Sequence, residues 1–355
     1  MSVIRELLEE VIQRDGSDLH LIAGDPPRMR LYGDLITMRE EPMVADALRD
    51  ALSEIIPPAA TETLARKDQV DFAYAVDGLA RFRVNAFRHL GGMAAIMRSI
   101  PARAQSLEEL NLPNIIGQLC KETSGLILVT GKTGSGKSTT LAAMVDDINR
   151  RVKGHILTIE DPIEFVHERR NCLISQREIG VHSPSFADAL HSALREDPDV
   201  ILVGELRDLE TMSTAITAAE MGILVMGTLH TNGAIQTVDR IVNAFSAEKQ
   251  SHVRTMLSTS LRGVISQQLC RKKGAEGRVP AFEVMVNTPA VSNLLRQGKL
   301  DQIESSIQAG AKAGMLTMDN ALQDLLDRRF ISGREAYEKA ISKERFKLYA
   351  DQPDR

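Results

Sequence analysis

Gly131-Lys132-Thr133-Gly134-Ser135-Gly136-Lys137-Ser138 fits G-x-x-x-x-G-K-[ST] at every fixed position. The motif sits inside "LILVTGKTGSGKSTTLAA", residues 126–143, where an aliphatic run breaks into a glycine turn and resumes as a helix-forming segment. In a strand–turn–helix of this kind, the backbone N–H groups of the turn and the positive end of the helix form an anion cradle. Glycines let the backbone approach phosphate, Lys137 reaches the β and γ phosphates, and Ser138 ligates Mg²⁺. The binding set is therefore Gly131, Thr133, Gly134, Ser135, Gly136, Lys137, Ser138 and Thr139, and the expected ligand is a nucleoside triphosphate with its magnesium ion.

A triphosphate that is to be cleaved also needs a second contact to the metal and a group that positions water. "DPDVILVGE" delivers Glu205 at the carboxyl end of an aliphatic run, where open α/β sheets bind their ligands. "HILTIEDPIEF" delivers Glu160, Asp161 and Glu164 in the same way, and "VMGTLHTNGA" delivers Thr228 and His230. Taken singly, acidic residues at strand ends are ordinary helix caps or solvated loops, and a lone histidine is ordinarily structural. Beside a phosphate loop they form a candidate catalytic set. Arg81 and Arg83 in "RFRVNAF", and Arg98 inside the apolar "AAIMRSI", read either as a solvated sheet face or as anion-binding groups.

The elements that must position these residues fall into two blocks. Residues 1–100 read as a small α+β domain: Val3, Ile4, Leu7, Leu8, Val11 and Ile12 share one helical face, and "QVDFAYAV" and "LARFRVNAFRHLGGMAAIMRSI" alternate in period two like antiparallel strands. "PPRMRLYGDLITM" reads as two short strands about a turn at Tyr32, Gly33 and Asp34. Residues 101–112, with two prolines nearby and a Ser-x-x-Glu start signal at Ser106 to Glu109, read as a linker. Residues 113–355 carry the unalternating runs "GLILVT", "HILTIE", "DVILVGE" and "GILVMGTLH" between helical segments, which require strands covered on both faces. Helices follow from about residue 284 to the polar tail "YADQPDR".

The chain has 355 residues, 43% hydrophobic and 26% charged, with a net charge of −5, which gives no global attraction to nucleic acid. No stretch approaches the roughly 18 to 20 uncharged apolar residues that span a bilayer, and "MSVIRELLEEVIQRDG" is an acidic amphipathic helix, so a cytosolic location is expected. Cys120, Cys172 and Cys270 are scattered and odd in number, as reduced structural thiols would be, without a disulfide framework or a zinc pair.

Together, "GKTGSGKST", "TIEDPIEF", "LREDPDVILVGELRD" and "GTLHTNGA" resemble the Walker A, Asp box, Walker B and His box of secretion ATPases. The resemblance is greatest to the type IV pilus retraction ATPases of the PilT family, and it extends from "SDLHL" to "AGAKAGMLTMDNALQDL". It implies an α/β fold in which a PAS-like amino-terminal domain precedes a RecA-like P-loop ATPase domain. It further implies ATP and Mg²⁺, assembly as a homo-hexamer, and a cytoplasmic location. Membrane association would run only through an inner-membrane platform protein, with no direct nucleic-acid partner. By position, Lys137 and Ser138 would bind phosphate and Mg²⁺, Glu164 would be the general base, Glu205 would act on metal and water, and His230 would sense the γ-phosphate. Arg83 and Arg98 would reach nucleotide held at a subunit interface.

The short amino-terminal region and the lack of a four-cysteine insert favour retraction over an extension or type II secretion ATPase. Where retraction ATPases carry a motif close to "AIRNLI", this chain reads "AVSNLLRQGK", with Ser292 in the arginine position, so an accessory retraction paralogue also stays open. A nucleic-acid motor and a nucleotide-binding module without turnover are the remaining alternatives.

Overall fold

The computed structural model describes residues 3–100, 103–274 and 277–350, so positions 101–102 of the expected linker and 351–355 of the tail lie outside the described residues. Contacts divide the chain into two units: Met1–Arg103 with Pro162–Val166, and Ala104–Asp161 with His167–Arg355.

The first unit runs α1 (Val3–Gln13), β1 (Asp18–Ile22), β2 (Arg28–Leu31), β3 (Asp34–Thr37), α2 (Ala45–Ile55), α3 (Pro58–Lys67), β4 (Gln69–Val76), β5 (Ala80–His89) and β6 (Gly92–Ile100). Its strands form one antiparallel sheet in the order β3-β2-β1-β6-β5-β4. Strand alternation puts Leu19, Leu21, Met29, Phe72, Phe82, Val84 and Met97 on one face, where they bury against Ile4, Leu8, Leu48 and Leu52 of the helices. The same alternation turns Arg28, Arg30, Arg83 and Arg98 to the opposite face.

Ser106 and Glu109 make the reciprocal capping bonds that their spacing announces: Glu109 N–H donates to Ser106 Oγ at 3.2 Å, and Ser106 N–H donates to Glu109 Oε2 at 2.9 Å. Only a single turn follows. Pro113 intervenes, and the next helix, α4, spans Asn114–Leu119.

The second unit continues with β7 (Gly125–Thr130), α5 (Lys137–Arg151), β8 (His155–Glu160), β9 (Leu173–Glu178), α6 (Phe186–Ala193), β10 (Val200–Val203), α7 (Leu209–Glu220), β11 (Leu224–Leu229), α8 (Ala234–Asn243) and α9 (Ala247–Ser260). It closes with β12 (Leu261–Arg271), β13 (Arg278–Val286), α10 (Pro289–Gln297), α11 (Ile303–Ala309), α12 (Met318–Asp327) and α13 (Gly333–Lys339). The sheet order is β13-β12-β7-β11-β10-β8-β9, parallel throughout except for the antiparallel β12–β13 pair. All residues of β7, β10 and β11 are buried, because two separate cores cover the two faces of the sheet.

Three strands go beyond the four aliphatic runs. β9 is a half-polar edge strand, and the β12–β13 hairpin is obscured in sequence by Ser266, Gln267 and Gln268, which interrupt its apolar pattern. The fold is thus α/β with a mixed, parallel-rich sheet, preceded by an α+β unit on an antiparallel sheet.

Candidate active site

Parallel pairing aligns the carboxyl ends of β7, β11, β10 and β8, in that spatial order: Thr130 lies opposite Leu229, Val203 opposite Gly227, and Val203 opposite Ile159. Four chain segments distant in sequence therefore leave the sheet along one edge, where α/β folds bind ligands.

The phosphate loop is the exit from β7. Gly131 has φ 140°, and a Cβ there would collide with the Gln267 carbonyl and lie 2.6 Å from Ser135 Oγ. Gly136, the N-cap of α5, has φ 92°, and a Cβ there would lie 2.8 Å from Gln267 Nε2. Both positions need glycine for backbone conformation and for space. Lys137 is the first residue of α5, and its Nζ donates to the carbonyls of Gly131 (2.8 Å) and Lys132 (3.2 Å). Its ammonium thus turns over the loop, not into the core. Thr133 and Gly134 are exposed, Ser138 and Thr139 half-buried, and Ser135 is buried.

Gln267 was not singled out from the sequence. From the middle of β12, only 2% exposed, its Nε2 donates to the Ser135 carbonyl (2.5 Å) and its Oε1 accepts from the Thr140 hydroxyl (2.8 Å). One amide side chain thereby fixes both the phosphate loop and the first turn of α5. The signal available was a glutamine inside "VISQQLC", and nothing local distinguishes it from a polar edge residue.

Glu205 and His230 emerge from the neighbouring strands β10 and β11, and Glu205 Oε1 lies 3.2 Å from His230 Nε2. The second carboxylate oxygen of Glu205 lies 2.6 Å from Arg207 Nε. The Thr228 hydroxyl donates to the Gly204 carbonyl at 2.5 Å, and Leu206 N–H to the Thr228 carbonyl at 2.9 Å, so buried Thr228 braces the turn that carries Glu205. Among the described residues no group of three His, Cys, Asp or Glu side chains is placed to hold a metal ion. The Ser138 hydroxyl and Glu205 carboxylate are hard oxygen donors, few in number, and suit Mg²⁺, which is ordinarily held by one or two protein oxygens together with substrate phosphate and water.

Glu160 ends β8, and its Oε1 accepts from the Thr158 hydroxyl (2.6 Å) and from Gln176 Nε2 (3.4 Å). Gln176 Oε1 in turn accepts from His167 N–H at 2.9 Å. A single side chain on β9 therefore bonds to both flanks, Glu160 and His167, of the loop 161–166, of which Pro162–Val166, with Glu164, is counted in the first unit. Beyond the loop, Asn149 of α5 donates to the Glu168 carbonyl at 2.7 Å and accepts from Cys172 N–H at 3.2 Å. Burial pushes the His167 imidazole down to about 4, so it is neutral at ordinary pH.

Arg83 and Arg98 belong to the first unit and stand directly opposite each other on β5 and β6. Arg98 Nε lies 2.8 Å from buried Asp18 Oδ1, yet 67% of its side chain remains exposed; Arg83 Nε lies 3.9 Å from Asp71. Two arginines directly across a ladder would repel, and here each guanidinium has a carboxylate beside it, Asp18 for Arg98 and Asp71 for Arg83. The three cysteines are free and buried, and burial pushes the Cys120 and Cys270 thiols up to about 12, which makes them inert.

The chain matches the model of the Type II/IV secretion system protein family over residues 1–330. It is 48% identical over 343 residues to the "Type IV pilus retractation ATPase PilT" of Pseudomonas aeruginosa, covering 97% of this chain and 99% of that one. It is 47% identical over 343 residues to a "Twitching motility protein" of Neisseria gonorrhoeae, covering 97% and 91%. The crystal structure of the pilus retraction motor PilT with bound ADP is similar at TM-score 0.90 and 43% identity, covering 98% of this chain and 99% of that one. With a phosphate loop at the β7–α5 turn and relatives matched over nearly its whole length, the chain belongs to the Type II/IV secretion system protein family, among its pilus retraction ATPases.

Proposed function

We propose that this chain forms a homo-hexameric ring in the cytoplasm, docked on an inner-membrane platform protein, in which ATP hydrolysis drives withdrawal of pilin subunits from a type IV pilus. The observation that supports retraction is the similarity over nearly the whole chain to pilus retraction ATPases, and the Glu205–His230 contact at 3.2 Å, on the sheet edge that also carries the phosphate loop, supports hydrolysis. That arrangement supports coupling between the group acting on metal and water and the group sensing the γ-phosphate.

In this reading the loop 131–136 and Lys137 hold the phosphates, and Ser138 and Glu205 hold Mg²⁺, which when bound neutralises charge on the phosphoryl oxygens. Glu164 takes a proton from the attacking water as the bond to the γ-phosphorus forms and the bond to the leaving ADP oxygen breaks. His230 reads the γ-phosphate and passes its presence to Glu205. Arg83 and Arg98 of one subunit approach the nucleotide of a neighbour. The domain division 1–100, 101–112 and 113–355 then separates an arginine-bearing domain from a nucleotide-bearing one.

The test is a gene deletion complemented with native or Lys137→Ala protein. Retraction predicts surplus surface pili in the deletion, unchanged by the variant, and the purified variant should release phosphate about 10² to 10³-fold more slowly. Loss of pili altogether would assign extension instead. Stimulation of hydrolysis by DNA with a steep salt dependence would assign a nucleic-acid motor.

A further inference from the structure

The turn that follows His230 is held from the β12–β13 end of the sheet by two side chains with no part in the proposed catalysis. Gly233 N–H donates to Ser266 Oγ at 2.9 Å, and Ala234 N–H, the first of α8, donates to Glu283 Oε1 at 2.7 Å. Ser266 and Glu283 are direct partners across the β12–β13 ladder, so one rung of the hairpin takes two successive backbone donors of the turn. Glu283 is 7% exposed and its carboxylate also accepts from Met318 N–H, the first residue of α12. It therefore bridges the starts of two helices, α8 and α12, whose positive ends favour its charge. Burial nevertheless pushes its carboxyl above the ordinary range, with Glu304 and Asp319 adding to the rise. Thr237 completes the bracket: its hydroxyl donates to the Gly233 carbonyl at 2.7 Å and lies 2.7 Å from the Thr231 hydroxyl.

A buried carboxylate is costly unless every lone pair it exposes to the interior is used. Here both uses fall on backbone N–H groups, and one belongs to a turn of three residues whose other end is His230. We infer that Glu283, with Ser266, is a positioning residue for His230: it fixes the turn so that the imidazole stays at hydrogen-bond distance from Glu205, and α12 anchors Glu283 in turn. Glutamine is nearly isosteric with Glu283 but has one acceptor oxygen, and its NH₂ group would face a backbone donor. The substitution should therefore loosen the turn without opening a cavity.

The inference rests on the proposed role of His230, and a double-mutant cycle on the full-length protein separates the two. Glu283→Gln should lower kcat for ATP hydrolysis about 10-fold, the size of one lost buried hydrogen bond, and leave KM within about two-fold. On a His230→Ala background the same substitution should cost nothing further. Ser266→Ala, a smaller change that removes one hydroxyl, should show the same non-additivity, and it carries the test if Glu283→Gln fails to fold by thermal melting. A full 10-fold loss that persists without the imidazole overturns the positioning role while leaving His230 as a sensor. If His230→Ala alone leaves kcat unchanged, the sensor role falls, and this inference falls with it.

Discussion

Glu205 Oε1 lies 3.2 Å from His230 Nε2 while Glu205 Oε2 lies 2.6 Å from Arg207 Nε, so a single carboxylate is engaged at both oxygens by groups on its own and the adjacent strand exit. A carboxylate held in that way is well placed to orient and to bind metal. Glu164, by contrast, stands on the loop that follows β8 and not on a strand exit shared with His230.

Glu164 and Glu205 should for that reason separate on substitution. Glu164→Gln should leave Mg²⁺-ATP affinity within about two-fold and abolish turnover, a loss of order 10² to 10⁴. Glu205→Ala should also raise the magnesium concentration needed for half-maximal activity. Phosphate release and nucleotide binding across a magnesium titration distinguish them. The reverse pattern would exchange the two roles.

The exposed Arg83–Arg98 pair gives the ring a test of its own. Arg83→Ala and Lys137→Ala rings should each be nearly inactive, because an arginine reaching a neighbour's nucleotide is worth about 10³ to 10⁵ in rate in NTPases that use one. In a mixed ring, an intact phosphate loop can face an intact arginine, so activity should reappear and peak near equal proportions. Phosphate release across the titration, after co-assembly, reports this. A flat line at the parental background would place the arginines in structure or in their own chain.

Gln267 links a loss of stability to a loss of affinity. Gln267→Leu would strand the buried Ser135 carbonyl and Thr140 hydroxyl, at about 1–3 kcal/mol for each unsatisfied group. We expect a melting temperature lower by several degrees and weaker ADP binding, measured by calorimetry. Normal affinity in a destabilised variant would limit Gln267 to the core.

His167 sets a pH dependence with a definite sign. Its folded value of about 4 lies below the unfolded value near 6.5, so between these the unfolded chain binds the extra proton. Stability from this group is complete above about 6.5 and is lost as pH falls toward 4, at no more than about 1.4 kcal/mol per pH unit. His167→Gln should flatten that part of the stability curve in urea titrations. An unchanged slope would show that another group controls the window.

The phosphate loop, the acidic strand ends and the unalternating strands were legible in the chain because each depends on neighbours within a few residues. Glycines at 131 and 136 announce a turn whose backbone must approach phosphate, and four aliphatics before Glu205 announce a strand buried on both faces. Period-two alternation in the first sheet was legible too, and it turns Arg83 and Arg98 to the face opposite Phe82, Val84 and Met97. Local signals had limits even where they were right: the capping bonds of Ser106 and Glu109 form, but Pro113 stops the helix after a turn. Strand order was decided only in three dimensions. β7, β11, β10 and β8 are neighbours in an order unlike their succession in the chain, and that order alone brings Glu205 to His230. The same holds for Gln267 beneath Ser135, 132 positions away, and for Glu283 beneath Ala234, 49 positions away. A polar residue inside a strand carries no mark of the partner it will meet. The partner is fixed when helices close over both faces of the sheet, and a buried amide or carboxylate must then find its hydrogen bonds among whatever backbone the packing has brought there.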